Sequence, residues 1–337
     1  MKQLPLVLVD AFPRSKEMIF TTDTERQLLD RVHIVEHYGA RMPDGIVEKH
    51  LEEVSIIVGQ TPMDAARLDR AKKLKAIINV KGNWEPNIDY TAAQRLGIHV
   101  LSIAPVMAPA VAEMCLGMAI SLGRGIVRND QLFRGSKERY GFAGNAEAVT
   151  LFNAPVGFIG YGNLGRALGP LLAPFSCPVR IYDPWLSNGY LAREGYSAGS
   201  LDEVLQQSQY LFLLAGVHKE NDGFLSRSML EKIRKDACVV LASRAEIVDF
   251  DAFLDLAESG HFRAAVDVYP QEPVDKSSPM RDRKSIIFSA HLAGGMRASY
   301  QRIANSLLEE IPQILSDLPP LLLQRAEPRL AAMQTSR

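Results

Sequence analysis

Cysteine is scarce in this sequence, and net charge is almost absent. The 337 residues include three cysteines, an odd number without paired spacing, so we expect buried, reduced thiols rather than a disulfide framework. The formal net charge of -1 gives no long-range attraction toward nucleic acid or an anionic membrane surface. The sequence therefore predicts neither of these partners, and it predicts no metal site.

Long apolar runs are also lacking, and we expect none that approaches the length of a transmembrane helix. The N-terminal residues lead directly into the strand-like run Leu6–Val9, which is too short for the apolar region of a signal peptide. These absences predict a cytoplasmic protein. What is present is the balance of a soluble globular chain, with 47% hydrophobic and 23% charged residues, at a length typical of two domains.

Short apolar runs alternate with segments of helical periodicity, which is the pattern of parallel α/β units. This alternation predicts an α/β protein with two doubly wound parallel-sheet domains. A long apolar helix over Ala108–Leu122 separates two series of strands. The predicted strands are Leu6–Val9, His33–Glu36, Ser55–Gly59, Ala76–Val80 and Ile98–Leu101 in the first series, and Val156–Ile159, Val179–Tyr182, Tyr210–Leu214, Cys238–Leu241, Ala264–Val268 and Ser285–Ser289 in the second.

The glycine-rich segment that follows strand Val156–Ile159 has the G-x-G-x-x-G spacing of a dinucleotide-binding turn. Gly160 permits the tight turn, Gly162 lets the backbone approach a pyrophosphate, and Gly165 lets the following helix pack closely on the strand. The positive end of that helix then faces the phosphates. The predicted cofactor-binding residues of this turn are Gly160, Gly162, Asn163, Leu164 and Gly165.

Asp183 ends the next strand, about twenty residues beyond the glycines, where a carboxylate accepts hydrogen bonds from the ribose hydroxyls. Its negative charge would repel a 2′-phosphate, and the following Pro184–Leu186 offers no cation in compensation. The second series of strands therefore predicts a domain that binds NAD rather than NADP.

Four further blocks occur in a fixed order around the glycine turn: Val111–Glu113, Ser243–Asp249, Ala265–Pro273 and Ser289–Gly294. Together with the turn, these blocks resemble the NAD-dependent D-2-hydroxyacid dehydrogenases. The resemblance covers nearly the whole chain. It implies a Rossmann NAD-binding domain over residues 105–295, inserted in a flavodoxin-like substrate domain formed by residues 1–104 and 296–337, with hinges near Ala104 and Gly295.

The resemblance also implies catalytic roles that fit the residue types. Reduction of a 2-oxoacid requires a proton donor, and His291 suits this because imidazole titrates near neutral pH. Glu272 is similar to the family's carboxylate partner of that histidine, and Arg244 offers a permanently charged fork for carboxylate and carbonyl oxygens. Asp267 resembles the residue that holds the nicotinamide amide. Taken alone, Arg244 is equally compatible with a surface ion pair, and Glu272 with a turn.

The loop after strand Ala76–Val80 occupies the position of the family's carboxylate clamp, and the resemblance implies that Lys81 and Gly82 supply its two backbone amide donors. The lysine is similar to that of phosphite dehydrogenase and favours a dianionic or phospho-containing substrate, although a solvated charge remains an alternative. Ala245 and Ala290 stand where the family usually has glycine and proline. These departures indicate a divergent branch, so no substrate is transferred from a named member.

We therefore expect an NAD-dependent oxidoreductase that interconverts a small anionic 2-oxoacid and its D-2-hydroxyacid. Two alternatives remain: a dehydrogenase of an oxyanion such as phosphite, and a catalytically weak NADH-sensing protein of the corepressor type. We also expect a homodimer, with the Ala108–Leu122 region near its interface.

Overall fold

The computed structural model of the protein describes residues 4–335, so the first three and last two residues of the predicted substrate domain lie outside it. The strands are β1 (Leu6–Asp10), β2 (His33–His37), β3 (Val54–Gly59), β4 (Ala76–Asn79), β5 (His99–Ser102), β6 (Val156–Ile159), β7 (Val179–Tyr182), β8 (Ser197–Ala198), β9 (Tyr210–Leu213), β10 (Cys238–Leu241), β11 (Arg263–Val266), β12 (Ile286–Phe288) and β13 (Gln324–Arg325). The helices are α1 (Lys16–Ile19), α2 (Thr22–Leu29), α3 (Asp44–His50), α4 (Ala65–Arg70), α5 (Tyr90–Arg95), α6 (Ala104–Arg124), α7 (Ile126–Arg134), α8 (Phe142–Asn145), α9 (Asn163–Leu172), α10 (Asn188–Arg193), α11 (Leu201–Gln207), α12 (Arg227–Leu230), α13 (Phe250–Glu258), α14 (Arg297–Leu315) and α15 (Pro328–Thr335).

The chain divides into two compact units. Unit 1 consists of the residues up to Met107 together with those from Gly295 onward, and unit 2 is Ala108–Gly294. The first boundary falls inside α6, close to the first residue of that helix, Ala104. Each unit contains one largely parallel sheet with helices, so the predicted fold class is confirmed. The substrate-binding role of unit 1 stays a prediction.

Unit 1 is built on a sheet with the strand order β13-β5-β4-β3-β1-β2. Strands β1 to β5 pair in parallel, and β13 joins the β5 edge antiparallel. Alternate residues of the strands point to opposite faces, as a parallel sheet covered on both sides requires. Leu8 and Ile57 pack with α3, α4 and α5, whereas Val9 and Val58 pack with α2 and α14.

The segment that follows Pro319–Pro320 is held by a buried carboxylate of α14. The carboxylate of Glu310 on α14 is fully buried and accepts hydrogen bonds from the backbone N–H groups of three consecutive residues, Leu321 to Leu323. The chain then forms β13 and α15, and Ala331 of α15 is buried in the core. A single buried carboxylate thus anchors the segment that follows the two prolines.

Unit 2 has the strand order β12-β11-β10-β9-β6-β7-β8, with every pair parallel. After β6, the chain adds β7 and β8 on one side of this strand and then β9 to β12 on the other side. The space between β6 and β9 is therefore the topological switch point, where doubly wound sheets bind ligands. The sequence missed the two-residue β8 and the helices α7, α8 and α10. It placed β6, β7 and β10 at their observed bounds.

Helix α6 extends over 21 residues, six more than the predicted Ala108–Leu122 (21 against 15). By length and composition alone it could cross a membrane, so the expectation that no apolar run reaches this length is wrong. A core helix passes the same test, and Ala112, Cys115 and Ala119 are buried in the core of unit 2.

Candidate active site

The glycine turn joins the end of β6 to the start of α9. Gly160 has a φ of +91°, and a Cβ atom there would lie 2.7 Å from both the backbone N and the Cα of Ala215. A Cβ at Gly165 would lie 2.8 Å from the Tyr161 ring, whereas one at Gly162 would meet nothing within 4 Å. Gly160 and Gly165 are therefore required by the fold itself, and Gly162 borders open space.

Helix α9 begins at Asn163, with Gly162 as its N-cap and no capping side chain. Its ten residues are long enough to carry a dipole, whose positive end lies at Asn163 and Leu164. Backbone N–H groups of a first helical turn have no partner within the helix and bind anions readily. The geometry of this turn fits a dinucleotide pyrophosphate beside Gly162.

Asp183 follows β7, and its half-buried carboxylate is tied to the glycine turn. One oxygen accepts from the Tyr161 N–H at 2.8 Å, and the other accepts from the Trp185 N–H at 2.9 Å. Each carboxylate oxygen can accept a further hydrogen bond. Asp183 therefore fixes the turn and still has acceptor capacity for the hydroxyl groups of a ribose.

The structure brings His291 and Glu272 together in unit 2. Nδ1 of His291 lies 2.6 Å from Oε2 of Glu272, and the two side chains are 47% and 34% exposed. The other oxygen of Glu272 accepts from the Tyr269 N–H at 3.0 Å, which fixes the carboxylate. Because Nδ1 is engaged, Nε2 is the imidazole nitrogen left to exchange a proton with a bound molecule.

Asp267 has a structural contact that the sequence did not predict. It is fully buried, and its two oxygens accept from the N–H groups of Leu292 at 2.9 Å and Ala293 at 3.1 Å. These two residues directly follow His291, whose φ of +53° lies in the left-handed region that costs a non-glycine residue conformational energy. Asp267 thus holds the histidine loop in a backbone conformation that it would not adopt on its own.

Tyr269 provides a second connection to the histidine loop. Its hydroxyl donates to the Ser289 carbonyl oxygen at 2.6 Å, two residues before His291. Burial raises the pKa of Tyr269 to about 12, with Asp267 and Glu272 adding to the effect through their negative charges, so the phenol stays a donor throughout the neutral range. The sequence block Ala265–Pro273 contains this tyrosine but gave no reason to assign it a role.

Arg244 follows β10 and is half-buried in an extended backbone conformation. Its Nη1 donates to the carbonyl oxygen of Ser243 at 2.6 Å, and the hydroxyl of Ser243 donates to the Leu213 carbonyl oxygen at 2.9 Å. Ala245, the unusual residue after it, is buried at the start of a short 3-10 helix. The guanidinium is therefore held at the carboxyl edge of the sheet.

The predicted substrate loop lies at the carboxyl end of β4 in unit 1. The Lys81 N–H donates to the Asn79 side-chain oxygen at 2.7 Å. Gly82 is exposed, and a Cβ there would meet nothing within 4 Å. The Lys81 side chain is partly exposed, and its Nζ lies 2.7 Å from Oε1 of Glu85, so its charge is paired within the loop. The role of Lys81 and Gly82 as amide donors to a substrate stays a prediction.

Sequence reasoning missed Asn79, whose side chain shapes this loop. Asn79, at the end of β4, also donates from its side-chain nitrogen to the Asn83 carbonyl oxygen at 2.9 Å, and it accepts from the buried Gln60 side chain at 2.7 Å. Trp84 is buried and packs edge-on against Tyr90, with ring centroids 6.1 Å apart. A polar residue at the end of a buried strand was the available signal for Asn79.

No cluster of three or more His, Cys, Asp or Glu side chains arranged to hold a metal ion occurs within residues 4–335. The three cysteines are free thiols, with Cys115 and Cys238 buried and Cys177 half-buried. Burial raises the pKa of Cys115 to about 12 and that of Cys238 to about 11, so these thiols stay protonated and unreactive at neutral pH.

Comparison with known proteins gives a family for the second unit. Residues 116–293 match the profile described as the NAD-binding domain of the D-isomer specific 2-hydroxyacid dehydrogenases. The matched segment contains the glycine turn and Asp183, and it includes Arg244, Glu272 and His291.

Individual relatives extend the similarity beyond that segment. D-3-phosphoglycerate dehydrogenase of Mycobacterium leprae is 27% identical over 258 residues, which cover 76% of this chain and 48% of the relative. Glyoxylate reductase of Thermofilum pendens is 25% identical over 269 residues, or 78% of each chain. This chain thus spans about half the length of the phosphoglycerate dehydrogenases it matches. Among solved structures, a phosphoglycerate oxidoreductase from Rhizobium etli is 36% identical with a TM-score of 0.87, covering 96% of this chain and 98% of that one.

Proposed function

Because the chain belongs to the D-isomer-specific 2-hydroxyacid dehydrogenase family and contains its NAD-binding domain, we propose that it interconverts a small 2-oxoacid and its D-2-hydroxyacid. The observation that supports this most is the 2.6 Å contact between His291 and Glu272, on a loop that the buried Asp267 fastens. An exposed imidazole with one nitrogen held by a carboxylate is arranged for proton transfer through the other.

Each proposed role follows from the chemistry of the side chain. In the reductive direction, His291 donates a proton to the carbonyl oxygen of the substrate, and in the oxidative direction it takes the proton from the hydroxyl group. Glu272 orients the ring and stabilises its charged form. Arg244 binds the carboxylate and the reacting oxygen with its guanidinium, which stays charged in both directions.

The residues of unit 2 fit the cofactor, which, when bound, supplies or accepts the hydride at the substrate carbon. We propose that the turn Gly160–Gly165 and the first N–H groups of α9 hold the pyrophosphate, and that Asp183 binds the ribose hydroxyls. Asp267 is proposed to accept from the nicotinamide amide in addition to fastening the histidine loop.

The proposal is tested by following NADH absorbance with glyoxylate, hydroxypyruvate, pyruvate, phenylpyruvate and phosphite. We expect turnover of at least one 2-oxoacid, and a loss of roughly 10²- to 10⁴-fold in kcat for His291→Ala while NADH binding persists. His33→Ala, at an exposed histidine of unit 1, is the matched control and should retain full activity. NADH binding without turnover across the panel would instead favour a sensing protein, and turnover of phosphite alone would favour an oxyanion dehydrogenase.

The cofactor preference has its own test. Asp183→Ala should raise the KM for NAD about tenfold and reduce the discrimination against NADP, because the variant removes the charge that repels a 2′-phosphate. Asp202→Ala is a suitable control, since Asp202 is an exposed carboxylate of the same unit that pairs with Lys232. An unchanged preference in Asp183→Ala would show that this residue does not contact the ribose.

We further propose that the protein acts on a small anionic substrate in the cytoplasm, as a homodimer with the Ala108–Leu122 region near the interface. Six large apolar or aromatic side chains of the segment that follows this helix are exposed, which is compatible with a covered surface. The six exposed side chains belong to Ile126, Val127, Phe133, Tyr140, Phe142 and Phe152. Sedimentation as a monomer at micromolar concentration would contradict the dimer.

A further inference from the structure

The substrate loop of unit 1 contains a cation and an anion in direct contact. Nζ of Lys81 lies 2.7 Å from Oε1 of Glu85, and the side chains are 34% and 23% exposed. The pair is less exposed than an ordinary surface pair of the same unit, Lys73 with Glu53, in which both side chains are 57% exposed. The partial burial of the pair means that water screens its charges less.

Glu85 is held in place through its backbone. The Tyr90 hydroxyl donates to the Glu85 carbonyl oxygen at 2.7 Å and lies 3.0 Å from the Glu85 N–H, which donates to it. Tyr90 is itself buried against Trp84. The buried aromatic residues of this loop therefore hold the backbone of Glu85.

Lys81 is fixed from the other side. The buried side chain of Asn79 binds the Lys81 N–H and the Asn83 carbonyl oxygen, and Gln60 in turn donates to Asn79. Hydrogen bonds thus hold the backbone of both charged residues, and the loop conformation brings the two charges together. The contact between Lys81 and Glu85 therefore depends on the loop conformation and is not an incidental surface ion pair.

We propose that Glu85 is a specificity-determining residue: it neutralises Lys81, so that the loop favours 2-oxoacids with a single carboxylate over those with a second anionic group. The inference rests on the proposed function, because it takes this loop as the one that binds substrate. A second anionic group that approaches Lys81 also approaches the carboxylate of Glu85, and like charges at short range repel each other. The lysine by itself would favour the opposite substrates.

The test compares Glu85→Gln with the wild-type protein. Glyoxylate and hydroxypyruvate carry one negative charge, whereas oxaloacetate and phosphohydroxypyruvate carry an additional anionic group. We expect the ratio of kcat/KM for the second pair to that for the first to rise about tenfold or more in Glu85→Gln, through lower KM values for the more highly charged acids. With glyoxylate and hydroxypyruvate, kcat should change less than about threefold.

Two further variants separate charge from structure. Glu53→Gln removes the carboxylate of the exposed pair with Lys73 and should leave the ratio unchanged. The double variant Lys81→Met, Glu85→Gln should lose the gain of Glu85→Gln, because no cation remains to be uncovered. An equal ratio in the wild-type protein and Glu85→Gln would overturn the inference.

Failure of the proposed function gives a different pattern. If no 2-oxoacid is turned over by the wild-type protein, the dehydrogenase proposal fails, and calorimetric Kd values for the same acids then test the loop directly. A Kd ratio that moves toward the more highly charged acids in Glu85→Gln would support the role of Glu85. An unmoved ratio, or no binding of any acid, would overturn it.

Discussion

His291 with Glu272 in unit 2, and Lys81 with Glu85 in unit 1, are two contacts of nearly the same geometry. In each, a nitrogen lies within 2.7 Å of a glutamate oxygen, at 2.6 Å in the first and 2.7 Å in the second. The two contacts differ in the group that carries the nitrogen, which is an imidazole in the first and an ammonium group in the second. Imidazole gains and loses a proton near neutral pH, whereas an ammonium group stays charged there. The same contact can therefore prepare proton transfer in one place and cancel a charge in the other.

The hydrogen bonds that hold the two glutamates differ as well. The Glu272 carboxylate accepts from the Tyr269 N–H, so its oxygens are held directly. Glu85 is held through its backbone by Tyr90, and the contact of its carboxylate is the one with Lys81. A carboxylate fixed at its oxygens suits a residue that must orient a ring. One fixed only at its backbone can move when a substrate competes for the lysine.

The largest expected effect is the difference in kcat between two variants, in which glutamine replaces either Glu272 or Glu85. Glu272→Gln keeps a hydrogen-bond acceptor for His291 but removes the negative charge, and we expect kcat to fall about 10²-fold with little change in NADH binding. Glu85→Gln should change kcat less than about threefold with a singly charged acid. Steady-state kinetics with the best singly charged 2-oxoacid measure both. Comparable losses of kcat in the two variants would show that the comparison is mistaken.

A second prediction concerns the support of the histidine loop. In Asp267→Asn, the amide oxygen can accept from one of the two N–H groups, but the amide nitrogen faces the other donor. We expect about a tenfold loss in kcat and a loss of about 2 kcal/mol in the free energy of unfolding, because a charged acceptor of two buried N–H groups is lost.

The control for this prediction is Asp249→Asn in the same unit. Asp249 accepts from the Ala252 N–H at the start of α13, and asparagine is an equally good N-cap there. Activity and chemical denaturation should therefore be unchanged in the control. If Asp267→Asn retains full kcat, its carboxylate does not position His291.

The comparison also shows which parts of the molecule were predictable. Strands β6 and β7 were placed at their observed bounds, and a helix was predicted after the glycine turn, because a continuous buried run, a glycine turn and a strand-end acid are local signals. The two-residue β8 and the four-residue α8 lack such signals, since segments this short depend on tertiary packing. The anchoring of the segment after Pro320 has no local signal either, because Glu310, which holds it, lies earlier in the chain, on α14.

The residues of the candidate site divide in the same way. His291 and Glu272 lie in ordered sequence blocks, so their residue types and order suggested a shared role before any contact was known. The Lys81 to Glu85 contact did not follow from its spacing of four residues, which brings side chains together on a helix and not in general in a loop. The loop conformation that creates it depends on Asn79 and Tyr90, whose side chains act over tertiary contacts.

The smallest predicted effect sharpens the contrast between an exposed imidazole and a half-buried one. Nδ1 of His99 on β5 is buried without a hydrogen-bond partner among the described residues. Burial lowers the pKa of His99 below its usual value of 6.5, and the positive charge of Arg325 lowers it further, whereas the negative charge of Glu310 acts in the opposite direction. The unfolded chain, whose histidine keeps the usual pKa, then binds a proton more readily than the folded one. Stability is therefore retained above about pH 6.5 and lost as the pH falls through the folded-state pKa.

Replacement of this imidazole should reduce the acid sensitivity of unit 1. We expect the Tm of the wild-type protein to fall by roughly 1–3 °C more than that of His99→Gln between pH 7.5 and pH 5.5, measured by thermal unfolding in the same ionic strength. His33→Gln, at an exposed position of strand β2 in the same sheet, should follow the wild-type curve. An identical pH dependence in His99→Gln and the wild-type protein would mean that protonation of His99 costs the fold nothing, and that burial of one ring nitrogen does not separate this imidazole from an exposed one.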